Sequence, residues 1–163
     1  MNNQILLTGG CGQGRKGFLN IIRYGLKLRP VVSINCSAPH GIWTVKKNVN
    51  DKYHSFVVIT YNQSRKTLTF HIENNKLVQS NDLRLSEGDL TIHITRFGDN
   101  SLVQVSPFKI RYTTREGISK EAVIKGKVIK AAAVEEGRQL VVSYIGGYLE
   151  YYMMSGNELR KDK

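Results

Sequence analysis

Cysteine is scarce in this sequence: Cys11 and Cys36 are the only two in 163 residues. A secreted disulfide scaffold would be richer, so a reducing compartment is expected. Acidic residues are missing altogether from the first 50 positions. Asp51 is the first, while Arg15, Lys16, Arg23, Lys27, Arg29, Lys46 and Lys47 all precede it. That stretch carries +7 of a formal net charge of +11. Such a balance favours RNA, DNA or acidic protein surfaces as partners and says nothing about fold. No apolar run reaches the length of a membrane span, and MNNQILLTGG is too short and polar for a signal peptide. The expectation is a soluble intracellular chain.

The usual signatures of catalysis are missing too. His40, His54, His71 and His93 are scattered with no pair at metal-ligand spacing, and the cysteines stand 25 positions apart. No G-x-S-x-G elbow occurs, and the carboxylates form no convergent pair. One motif invites an enzyme reading: LTGGCGQGRKG, in which Gly12, Gly14 and Gly17 spell G-x-G-x-x-G. A dinucleotide loop needs an acid about 20 residues further on, and Asp51 comes too late. A phosphate-cradling Gly-Lys needs Ser or Thr next, and Lys16 is followed by Gly17. The stretch therefore reads as a long hairpin turn, its glycines supplying positive φ.

What the sequence has is strands. Runs of four to eight apolar or β-branched residues recur at 4–8, 18–24, 30–35, 42–46, 55–61, 67–73 and 77–80. They continue at 90–97, 102–106, 109–113, 118–124, 128–134, 140–144 and 148–153. Several alternate as a half-buried strand must, such as Leu68, Phe70 and Ile72 against Thr67, Thr69 and His71. No long, capped helical pattern competes, so the fold class is all-β. A unit also repeats, starting near positions 5, 56, 102 and 140, and the last three copies each have one more strand in front. Four antiparallel strands at roughly 40–50 residues per repeat is the spacing of β-propeller blades. The expected organisation is an incomplete blade at 1–40, then blades at about 41–81, 88–125 and 127–163. Three and a half blades do not close a ring, so the chain is expected to be a segment of a larger propeller. Trp43 is expected in the core. Tyr144, Tyr148, Tyr151 and Tyr152 are open to two readings, a platform for stacked bases or packing between blades, with packing favoured.

Four stretches in register, GFLNIIRYGLKL (17–28), GIWTVKK (41–47), SLVQVSPFKIRY (101–112) and QLVVSYIGGYLEYYMMSGNEL (139–159), carry a resemblance. They resemble the second propeller of a family of triple-propeller scaffolds. Its members are the large subunits of the damage-specific DNA-binding complex and of the cleavage and polyadenylation specificity factor, and subunit 3 of splicing factor 3b. WTVKK, LVQV and Gly-Gly-x-Leu-x-Tyr look most like the splicing member. Pro107-Phe108 stands where the family has an Asp-Gly turn, and Lys27 replaces an acidic position. The resemblance implies a nuclear, non-enzymatic scaffold with no cofactor and no metal. It implies a role in a spliceosomal complex that supports branch-site recognition in pre-mRNA, alongside other subunits of the U2-type ribonucleoprotein. RNA contact would be indirect, and neither a membrane nor a small-molecule substrate is implied. Alternatives are a ubiquitin-ligase adaptor, a 3′-end processing scaffold, or an autonomous basic module that binds nucleic acid. Arg15, Lys16, Lys46 and Lys47 are the candidate partner-facing residues.

Overall fold

Alternation along FVVITY decides how the first large sheet is built. Phe56, Val58 and Thr60 are buried on one face, and Val57, Ile59 and Tyr61 take the other. In the computed structural model this segment is one of 14 strands among the described residues, which are 6–13, 16–23, 32, 35–36, 38–62, 64–74, 76–134, 138–155 and 158–161. No helix occurs among the described residues.

The chain divides into two units, Met1–Val31 and Val32–Lys163. In the first, β1 (Leu6–Gln13) and β2 (Lys16–Arg23) form an antiparallel pair. The pairing runs without interruption from Leu6↔Arg23 to Gln13↔Lys16, through Gly9, Gly10, Gly12 and Gly17. The expected long turn is thus replaced by strand. Glycine keeps both backbone hydrogen-bonding groups, so a glycine-rich stretch can join a ladder when its partner is at hand. Only positions 14 and 15, outside the described residues, separate the two strands. The strand expected at 30–35 also falls largely outside the described residues.

The second unit holds three four-stranded antiparallel meanders. The first comprises β3 (Pro39–Val45), β4 (Phe56–Tyr61), β5 (Lys66–Glu73) and β6 (Lys76–Gln79). The second comprises β7 (His93–Arg96), β8 (Leu102–Val105), β9 (Lys109–Thr113) and β10 (Ser119–Val123). The third comprises β11 (Val128–Val134), β12 (Gln139–Tyr144), β13 (Leu149–Ser155) and β14 (Glu158–Lys161). The leading strands are neighbours, β3 against β7 and β7 against β11. Successive sheets therefore converge on their first strands, as propeller blades do.

Two apolar layers separate the three sheets. Val45, Phe56, Val58, Leu83, Ile94 and Leu102 form the layer between the first and second. Val103, Val105, Ile110, Tyr112, Val128, Leu140, Val142, Tyr144 and Tyr152 belong to the larger layer between the second and third. The middle sheet is covered on both faces, and this is why all four residues of β8 are buried rather than alternate ones. Leu102 and Gln104 face one neighbour while Val103 and Val105 face the other.

Trp43 corrects an expectation. It is half-buried at the margin of the first layer, and Ile42, on the opposite face of β3, is 62% exposed. Period-two alternation sends adjacent residues to opposite faces, so the pair cannot enter one core together.

Candidate interaction surface

Polar side chains also bind the first two sheets together, and they fix the segment between β6 and β7. Thr60 and Thr67, paired across β4 and β5, lie 3.1 Å apart at their hydroxyls. Thr67 reaches the Thr91 hydroxyl at 2.8 Å and donates to the Asp89 carbonyl at 2.7 Å. Gln104, 1% exposed on β8, donates through Nε2 to the Thr91 hydroxyl at 2.8 Å and accepts the Ser86 backbone N–H at 2.8 Å. At the outer end of the seam Lys109 pairs with Asp89 at 2.6 Å, and its charge holds the Asp89 carboxyl below the usual range against the opposing effect of burial.

At the opposite end of β4 the same two sheets diverge and leave a cleft of about 470 Å³. Its floor is Phe56, Leu83 and Leu102, and its walls carry Lys47, Arg84, Arg96 and Arg115 with Asp82 and Glu116. Each cation comes from a different element. Lys47 follows β3, Arg84 sits in the segment between β6 and β7, Arg96 ends β7, and Arg115 lies in the β9–β10 turn.

Two of these are firmly positioned. Arg96 donates from Nε to the Lys46 carbonyl at 2.9 Å and from Nη1 to the Asn100 carbonyl. Asn100, at φ +65°, turns its Oδ1 to accept the Val49 N–H at 2.6 Å. Burial lowers the Arg96 pKa, and the charge of Asp51 works in the other direction. Arg84 reaches across the cleft to donate to the Gly117 carbonyl at 3.1 Å. Position 117 favours glycine through its φ of +87°, and the Arg84 guanidinium fills the space a Cβ would take, 2.0 Å away at Nη1. Despite the density of charge, none of the four cations forms an ion pair among the described residues. Lys109 and Arg111, on β9, and Arg138, just before β12, all do.

The four residues singled out from sequence fall as follows. Lys47 is exposed on the wall of the cleft. Lys46 is half-buried beside it, its carbonyl holding Arg96 and its Nζ 3.4 Å from the Val49 carbonyl. Lys16 pairs with Gln13 at the end of the β1–β2 hairpin, in the other unit. Arg15 lies outside the described residues. Arg84, Arg96 and Arg115 were not foreseen. Arg96 ends the leading strand of its repeat just as Lys46 follows the leading strand of the one before, so aligning the repeats would have paired them.

Of the four tyrosines, Tyr144 and Tyr152 resolve toward packing, and Tyr148 is 46% exposed. Tyr144 and Tyr152 are buried in the second layer with hydroxyls 3.1 Å apart, and both donate to Glu150 Oε2. Tyr148 stacks on Tyr144 with centroids 4.7 Å apart. Lys161 first, then the two hydroxyls, hold the Glu150 carboxyl down at about 2. Burial, then the hydrogen bond to Glu150, pushes Tyr152 up to about 12. No group of His, Cys, Asp and Glu suited to a metal ion occurs among the described residues. Cys36 is a free, half-buried thiol beside the Tyr61 hydroxyl.

Comparison with known proteins gives these features a setting. The family model for the RSE1/DDB1/CPSF1 second β-propeller matches residues 28–163. Spliceosome-associated protein 130 A of Arabidopsis thaliana is 30% identical over 156 residues, 94% of this chain and 13% of that protein. Splicing factor 3B subunit 3 of Danio rerio is 26% identical over 145 residues, 88% of this chain and 12% of that protein. Pre-mRNA-splicing factor prp12 of Schizosaccharomyces pombe is 29% identical over 146 residues, 89% of this chain and 12% of that protein. The chain thus spans about an eighth of the length of the curated relatives it matches.

Proposed function

The chain belongs to the family of the RSE1/DDB1/CPSF1 second β-propeller, and from that membership we propose that it serves as a non-enzymatic scaffold in a spliceosomal complex. The observation that carries this reading is that relatives named as splicing factors match 88–94% of the chain. On this reading the protein works in the nucleus among other protein subunits of a U2-type ribonucleoprotein. It supports branch-site recognition in pre-mRNA and touches RNA only indirectly. The sheets map onto blades at about 41–81, 88–125 and 127–163, with an incomplete one at 1–40.

The physical case for a scaffold is stiffness. Three sheets joined by two apolar layers and a hydrogen-bonded seam present their loops in fixed positions. A partner docking on preorganised loops then loses little conformational freedom. On this reading Arg15, Lys16, Lys46 and Lys47 are the basic residues that meet partners, and Lys47 lines the cleft.

The test is functional. A splicing extract depleted of the protein that carries this chain should accumulate unspliced pre-mRNA before the first cleavage, and adding the protein back should restore splicing. Intact splicing with failed 3′-end cleavage or failed ubiquitin transfer would overturn the reading in favour of the other branches of the family.

A further inference from the structure

Lys109, Arg111 and Arg138 are each paired with a carboxylate, while Lys66 and Lys120 are in no ion pair among the described residues. At the cleft four cations from four separate elements converge on one concave surface, without an ion pair among the described residues. Two are fastened by backbone carbonyls instead: Arg96 by Lys46 and Asn100, Arg84 by Gly117. Fastening a guanidinium in advance removes much of the entropy cost of using it, and a fixed fork suits a carboxylate well.

We propose that this cleft, between the Lys47 and Arg115 walls, is a docking site for an acidic peptide segment of a partner protein. The proposal rests on the scaffold reading for the kind of partner, and on the cleft itself for the chemistry.

The lining favours peptide over nucleic acid in two respects. Asp82 and Glu116 stand among the cations. A phosphate chain, charged at every residue, would meet those carboxylates as well as the cations. An acidic peptide carries backbone N–H groups, and basic or hydroxyl side chains between its acids, that can face them. Single-stranded nucleic acid is also held by bases stacked on aromatic rings. The one ring lining the cleft, Phe56, is 5% exposed and committed to the apolar layer. The volume of about 470 Å³ suits a few side chains, within the usual range for ligand sites.

The experiment measures binding of a fluorescein-labelled peptide of alternating Glu and Ser to the full chain at low salt, by anisotropy, beside labelled oligouridylate. Two double variants separate a local site from general positive charge. Lys47→Glu with Arg115→Glu alters the cleft, and Arg65→Glu with Lys66→Glu makes the same charge change at the other end of β4. Both variants should retain the far-ultraviolet circular dichroism of the parent. The cleft variant should weaken peptide binding roughly tenfold or more, and the distal variant less than about twofold. Absence of peptide binding, equal loss in the two variants, or tighter oligouridylate binding that depends on Lys47 and Arg115 would each overturn the proposal. Because this readout involves no splicing component, it can fail while the splicing assay succeeds, or the reverse.

Discussion

At the scale of single residues, side-chain neighbours explain what composition does not. The indole of Trp43 lies over Gly41, two positions earlier on the same face of β3, where an added Cβ would stand 2.3 Å from the ring. Gly41→Ala should therefore displace the ring and cost about 1–3 kcal/mol, the usual penalty for overpacking. Trp43 is the only tryptophan in the chain, so its emission reports the change directly. A red shift with a lower urea midpoint is expected, and an unchanged spectrum would contradict the packing described for β3. Glu150 offers a second test, through pH. Its folded value of about 2 lies below the ordinary 4.5, so ionisation favours the folded state. The stability it contributes is present in full above about pH 4.5 and is lost as pH falls toward 2. Glu150→Gln should cost about 1–2 kcal/mol at neutral pH through lost charge-assisted hydrogen bonds. By about pH 3 the gap between the two proteins in urea denaturation should have narrowed. A gap of the same size at both pH values would show that the carboxylate's charge is not what matters.

At the scale of elements, the seam between the first two sheets is the feature most open to measurement. Gln104 is the one side chain that ties β8 both to Ser86 and to Thr91. Replacing it with Leu keeps most of the volume but strands the Ser86 backbone N–H and takes one of its partners from the Thr91 hydroxyl, which keeps Thr67. Gln104→Leu should destabilise by about 1–3 kcal/mol, and the Ser86 amide should exchange faster with solvent. A neutral effect on both would mean that the apolar layer alone joins the sheets. The strands on either side show how far the sequence could be read. In β5 the strand was foreseen but not its faces: Thr67 and Thr69 are buried and Ile72 is 53% exposed. β4, β9 and β12 announced themselves by alternation, because each has a wetter face and a drier one. β14 did not, since ELRK holds a single apolar residue, Leu159, and only the layout of the earlier copies pointed to a strand there. The glycine-rich second half of β1 was mistaken for a turn, because a residue without a side chain leaves no hydrophobic pattern to read. The cleft was the least legible of all. Lys47, Arg84, Arg96 and Arg115 are far apart in sequence, and only the packing of one sheet on the next assembles them. Of the four, Lys47 alone had stood out, as part of a basic pair.

At the scale of the whole molecule, the repeat of four strands, the convergence of leading strands and the family match all describe a propeller element. On the proposed reading, fixed charge at the junctions between sheets recruits partners, while the apolar layers keep those junctions rigid. The central claim is that those partners belong to the splicing machinery. Its most direct test is to tag the protein carrying this chain, purify it gently from nuclear extract, and identify the bound proteins by mass spectrometry and the bound RNA by sequencing. The account predicts splicing factors together with U2 small nuclear RNA, lost in part from a Lys47→Glu, Arg115→Glu variant. Recovery of cullin-ligase or polyadenylation subunits in their place, with no small nuclear RNA, would contradict it.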